Sequence, residues 1–170
     1  MPPKGVTEGL TQVTETMGED TTIVQNRTAR RNYEILDTLE AGIALVGTEV
    51  KSLREAGSMT LKDSYADIQK GEVYLVGAHI NPYAQGNIYN HAAERPRKLL
   101  LHKREIERLS KRIAEKGLTL IPLKVYFTRG LVKIQLGLGR GKNVRDKRET
   151  VKEREGKREM DRAMKHVGRK

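Results

Sequence analysis

Three features of the sequence predict a mainly β domain with inserted helices, closed into a small barrel of about six strands and followed by a basic C-terminal tail. Short apolar and β-branched runs recur between turn residues such as Lys70-Gly71 and Arg129-Gly130. One stretch, 103–116, has a strong helical period. From Arg140 to Lys170 the chain holds thirteen Lys or Arg and six Asp or Glu, with almost no apolar residues to build a core.

Residues 1–25 are rich in Thr, Gly and Glu and show no sustained period, which predicts a disordered leader. The body then runs over residues 26–141. Tyr33, Ile35 and Leu39 suggest a first strand, Ala41-Gly42 a turn or bulge, and Ile43 to Val46 a second strand. Gly47 to Gly57 reads as a short helix: Thr48 can cap it, Val50 and Leu53 share a face, and Gly57 can end it. Thr60 to Gln69 reads as a strand that turns at Lys70-Gly71 into Glu72 to Val76.

Asn81-Pro82-Tyr83 breaks the pattern. Residues 82–97 follow as a polar loop, long for a compact domain. Lys103 to Lys116 is the best helix, with Ile106, Leu109 and Ile113 in one stripe and Gly117 beyond its end. Leu118 to Phe127 and Leu131 to Leu138 form a second hairpin through Thr128-Arg129-Gly130, and Pro122 predicts an edge or a bulge. An oligonucleotide-binding (OB-like) barrel is the natural reading, with a small sandwich as the alternative. Residues 142–170 form the tail. Met160, Ala163, Met164 and Val167 share a helical face but have nothing to pack against, so disorder is expected when the chain is free and helix when a partner supplies a surface. Fully helical, about 25 residues would span roughly 38 Å. Gly137, Gly139 and Gly141 suggest a hinge or a close backbone approach.

The net charge of +11 divides as −3 over residues 1–25, +7 over residues 26–139 and +7 over the tail. The body is basic in its own right, which favours a polyanion, nucleic acid ahead of a membrane surface. The absence of Cys excludes disulfides and thiolate sites and fits a cytoplasmic protein. No run of about 18 apolar residues spans a membrane, and the N-terminus has no signal-peptide pattern. One Phe and no Trp argue against a broad base-stacking platform.

No catalytic constellation emerges. His79, His91, His102 and His166 are scattered without metal-ligand spacing, and the serines lack a nucleophile elbow. The Gly-rich run 137–142 lacks the spacing of a phosphate-binding loop. Neither a cofactor nor an enzymatic role is expected. Nucleic-acid chemistry is better supplied. Arg27, Arg30 and Arg31 cluster before the first strand, and Arg95, Arg97 and Lys98 lead into Leu99-Leu100-Leu101-His102. Such cations pair with phosphates, and an exposed Leu100 can pack on an unstacked base. Glu40 could accept hydrogen bonds from base or sugar donors.

At these residues the chain resembles the small protein B (SmpB) family, whose members partner transfer-messenger RNA in bacterial ribosome rescue. The resemblance runs from Asn26 to about Lys165. It is carried by Glu40-Ala41-Gly42-Ile43, Gly47 to Arg54, Asp63-Ser64-Tyr65, Arg97 to Leu101, and Asp146-Lys147-Arg148-Glu149-Thr150 with Lys152-Glu153-Arg154. It implies an OB-like barrel that binds the tRNA-like domain of transfer-messenger RNA, and a tail that enters the empty mRNA channel of a stalled ribosome. Elongation factor Tu and alanyl-tRNA synthetase would be met indirectly, through the RNA. Carried over by motif, Glu40 and Leu100 would belong to an RNA-elbow surface, with Asn26, Tyr33 and His102 nearby; Arg27, Arg30, Arg97 and Lys98 join the expected RNA-binding set as cations of the basic clusters. Gly139 and Gly141 mark the junction of body and tail. Lys142, Arg145, Asp146, Lys147 and Arg148 would meet small-subunit rRNA at the decoding centre. Arg145 stands where the family commonly has His or Tyr, and a guanidinium can stack in their place. The competing readings are a structural ribosomal or assembly protein, and an enzyme acting on RNA with His91 or His102 as base.

Overall fold

The computed structural model describes residues 20–167. Strand β1 (Thr21–Gln25) leads through a four-residue helix, α1 (Ala29–Asn32), into the long strand β2 (Tyr33–Ile43). Helix α2 (Gly47–Ala56) follows, then strands β3 (Met59–Thr60), β4 (Tyr65–Gln69), β5 (Glu72–Val76) and β6 (His79–Ile80). Beyond a loop with one 3-10 turn come β7 (Arg97–Leu100), α3 (Lys103–Lys116), β8 (Thr119–Thr128), β9 (Leu131–Gly141) and the tail helix α4 (Val144–Val167).

Six strands hydrogen-bond in the cyclic order β8-β4-β5-β7-β2-β9, and β9 returns to β8, so the sheet closes into a ring. Of the other strands among the described residues, β1 adds antiparallel to β8, and β3 and β6 pair antiparallel with each other. The interior is lined by apolar side chains: Val73, Leu75, Leu99, Leu120, Val125, Ile134, Leu136 and Leu138 are essentially fully buried. Ile106 and Leu109 of α3 and Leu53 of α2 join the same core. The ring and its inserted helices match the expected fold class.

Several local expectations change. The leader does not extend to residue 25, because Thr21–Gln25 pairs with β8; its β-branched residues suit a strand once a partner edge exists. Residues 1–19 lie outside the described residues. Ala41-Gly42 is not a turn, since both lie inside β2 and pair with β9. The irregularity sits instead at Leu36, between Ile35 and Asp37. Ala44 to Val46 is not a strand. Thr48 does not cap α2: the Glu49 carboxylate accepts the Val46 N–H at 3.1 Å, while Thr48 Oγ1 is buried without a partner among the described residues. Pro122 does mark a bulge, where the β8–β9 register shifts. Arg129 and Gly130 both have positive φ, as a tight two-residue hairpin turn requires.

The glycines 137, 139 and 141 are strand residues rather than a hinge. Gly139 is the close approach: a Cβ there would lie 2.6 Å from the Glu34 carbonyl oxygen. The tail, expected to be disordered when free, is helical here from Val144 to Val167. Met160 and Met164 of its apolar stripe remain exposed, so little packing holds it.

Candidate nucleic-acid interface

Strand alternation decides which side chains leave the ring. Leu99 points inward and is buried, so Leu100 points out and is 54 % exposed. Antiparallel register then builds an outer row. Leu100 faces Gly42, Gly42 faces Lys133, and Lys133 faces Tyr126 across β7, β2, β9 and β8. The missing side chain at Gly42 matters, because a Cβ there would already touch Leu100 Cβ and Cδ1 at 3.4 Å. Leu100 therefore lies over β2 and presents an apolar surface on a rigid sheet.

A second row runs Glu40, Gln135, Lys124 through β2, β9 and β8. Glu40 bridges the rows: one oxygen accepts from the Lys133 ammonium and the other from the Tyr126 hydroxyl. Lys133, then Tyr126, hold the Glu40 carboxyl below its ordinary range. Burial, then Glu40, pushes the Tyr126 hydroxyl up. Lys124 stands over the Tyr126 ring, 5.1 Å from its centroid. Glu40 is thus not a free acceptor, although each carboxylate oxygen retains a second lone pair.

On the other flank Lys98 pairs with Tyr74, and both contact Glu72: the ammonium at 2.6 Å and the Tyr74 hydroxyl at 2.9 Å. Lys98 lowers the Glu72 carboxyl and is raised by it in turn. His102 heads α3, where its backbone N–H donates to Glu105 at 2.8 Å. Lys98, Leu100, His102 and Lys103 together line a groove floored by Leu99 and Ile106.

Arg97 does not belong to this surface. It is 0 % exposed, and all three guanidinium nitrogens are used internally. They donate to Glu49 at 2.9 and 2.8 Å and to the carbonyls of Ala78, Arg95 and Ala93. Its place in the strand, two residues before Leu99, sends it inward with Leu99 rather than outward with Lys98. Arg95 reaches the same Glu49 at 2.7 Å. Burial alone would raise the Glu49 carboxyl, but Arg95, the Val46 N–H and Arg97 outweigh it and hold the group below its ordinary range. This buried cluster ties α2 to the long loop and to β7.

The N-terminal candidates divide as well. Asn26 turns inward: its amide nitrogen donates to the Pro122 carbonyl at 3.1 Å, and its oxygen accepts the Ala29 N–H at 3.1 Å. Tyr33 packs with Ile35 on the small apolar cluster of Ala29, Ile121 and Leu123. Arg27 and Arg30 are exposed. Gly141 pairs with Tyr33, and the next residue, Lys142, donates its N–H to Asn32 at 2.8 Å. In the first turns of α4, Arg145, Asp146 and Arg148 are exposed and Lys147 is half-buried. Arg145 lies 3.7 Å from Glu149.

Sequence reasoning missed Lys124, Tyr126 and Lys133. Each lies in a strand whose alternation was readable, yet nothing in the sequence set β9 beside β2. His91 and His102 are both exposed, and neither imidazole is hydrogen-bonded to a carboxylate or a nucleophile among the described residues. Among the described residues no cluster of three His, Cys, Asp or Glu is placed to hold a metal, and no helix is long and apolar enough to cross a membrane.

Comparison with known proteins is consistent with these features. A family model described as SmpB protein matches residues 23–166. An SsrA-binding protein of Ligilactobacillus salivarius (strain UCC118) is 52 % identical over 150 residues, covering 88 % of this chain and 96 % of that protein. An SsrA-binding protein of Chlamydia caviae is 57 % identical over 143 residues, covering 84 % and 95 %. Among solved structures, a chain described under "tmRNA-SmpB: a journey to the center of the bacterial ribosome" aligns with a TM-score of 0.60 and 52 % identity. That match covers 75 % of this chain and 93 % of the other.

Proposed function

The chain belongs to the SmpB protein family, and from that premise we propose how its two parts divide the work of trans-translation. The protein binds transfer-messenger RNA and acts with it on the ribosome. The ring carries recognition of the tRNA-like domain. The observation that supports this most is the outer row of Leu100, Gly42 and Lys133, flanked by Lys98 and Lys124 on strands that cannot shift independently. The lysines neutralise phosphates, while Leu100 covers the face of an unstacked base. Glu40 sets Lys133 and Tyr126 in place and offers its remaining lone pairs to a sugar hydroxyl or base amine.

The tail carries the ribosomal half. Arg145, Asp146, Lys147 and Arg148 sit on α4, clear of the outer row, and are assigned here to the decoding-centre rRNA. Elongation factor Tu and alanyl-tRNA synthetase are partners of the RNA and meet this protein through it. The role is that of a cytoplasmic adaptor without catalysis.

The division is testable by substitution. Leu100→Asp and Glu40→Ala should weaken binding of the tRNA-like domain in a gel-shift titration at physiological salt, with ordinary tRNA as competitor. Asp146, Lys147 and Arg148 changed together to Ala should leave that binding intact and abolish tagging of stalled ribosomes in a reconstituted translation assay. Equal RNA-binding defects in both sets would refute the division.

A further inference from the structure

One strongly charged feature is not absorbed by that division. Arg154 and Arg158, one turn apart on α4, face Arg27, Arg30 and Lys124 of the body across a shared groove. The rest of the groove lining is neutral, and no carboxylate takes part among the described residues. None of the five cations forms an ion pair among the described residues, although other cations of the body do.

What holds the two walls together is slight and local. Lys142 donates from its ammonium to Thr150 Oγ1 at 3.0 Å and to the Arg30 carbonyl at 3.4 Å, fixing the angle at which α4 leaves β9. Beyond that point the helix presents like charge to like charge. Such an interface repels itself unless an anion lies between its walls.

We propose that this groove is a composite phosphodiester site, in which RNA bound to the body is gripped from the far side by Arg154 and Arg158 of the tail. The inference rests on the RNA-binding reading of the outer face. The register supports it, because Gln135 pairs with both Glu40 and Lys124. A backbone that crosses Leu100 and Glu40 therefore continues over Lys124 directly into the groove. Guanidinium forks suit this occupant, since each can meet two phosphate oxygens at once. Asn26 spends its amide inward, so the charged side chains make the ligand contacts. The tail's position is then coupled to the RNA before any ribosome is met.

The test uses the full chain, the tRNA-like domain as probe, and affinity measured from 0.1 to 0.3 M salt. Each phosphate contact contributes about 0.7–0.9 to the slope of log affinity against log salt. The tail pair Arg154→Gln/Arg158→Gln should lower the slope by about 1.4–1.8. Over that threefold range the wild type should therefore lose about five- to sevenfold more affinity than the variant. The control Lys157→Gln/Arg162→Gln removes the same charge from exposed positions of the same helix outside the groove. It should change the slope far less. Equal slopes for the two pairs would overturn the composite site while leaving recognition by the body standing. A wild type that binds the probe without salt dependence would instead remove the premise itself.

Discussion

Replacing Glu49 by Gln should be among the most damaging single changes to this fold, although the residue touches no proposed ligand. Glu49 is 6 % exposed and serves two guanidiniums, one of them fully buried. The amide keeps the shape but not the charge, so Arg97 is left in the interior with Arg95 nearby and no counter-ion. Removing one partner of a buried ion pair costs about 3–5 kcal/mol. With a urea slope of about 2 kcal/mol/M, a loss of about 4 kcal/mol lowers the unfolding midpoint by about 2 M. The pH dependence carries a second signature. The Glu49 carboxyl is depressed in the folded state, so its contribution is complete above the ordinary value of 4.5 and is lost as pH falls through the lower folded value. Glu49→Gln should therefore flatten the fall in stability below pH 4.5. Urea titrations followed by far-ultraviolet circular dichroism at pH 7 and pH 4 measure both effects. A midpoint shift below about 0.5 M at pH 7 would refute the view that Arg97 is a buried structural charge, and would reopen its assignment to RNA.

Leu100→Asp should leave the melting temperature nearly unchanged, since exposed substitutions away from special features usually cost within about 0.5 kcal/mol; a thermal melt beside the gel shift separates lost binding from lost folding. Gly130→Ala should cost about 1 kcal/mol, because φ is +77° there and the methyl opposes it. That corresponds to about 2–4 °C in a thermal melt. Arg112→Ala, which breaks the exposed pair with Asp37, should cost under about 1 kcal/mol despite the short 2.6 Å contact, since solvent screens it and the side chain regains its freedom.

The elements with strong local causes were readable in the chain. Helix α3 runs over the predicted residues because its stripe of Ile106, Leu109 and Ile113 has the helical period and Gly117 adopts the left-handed conformation that ends it. The hairpins at Lys70-Gly71 and Arg129-Gly130 were marked by Gly71 and Gly130, which accept positive φ, and Pro122 marked its bulge. Charge partition predicted a basic body and a separate basic arm. Leu100 and Asp146-Lys147-Arg148 were singled out by the order of the motifs around them, and the roles proposed for them rest on that order.

Tertiary structure decided what local sequence cannot encode, namely which side chains meet across distant strands. Arg97 and Lys98 are adjacent cations and read alike in one dimension. Closure of the ring sends one into the buried interior beside Glu49 and the other into solvent, because a strand alternates its faces and only packing says which face is the core. The same closure joins residues more than ninety positions apart, setting Lys133 beside Glu40, and it makes Gly42 the floor under Leu100 rather than a turn. The sequence by itself determined the kinds of elements, the basic charge and the family; the pairing of β2 with β7 and β9 determined the surface, because register is set by burial of the opposite face.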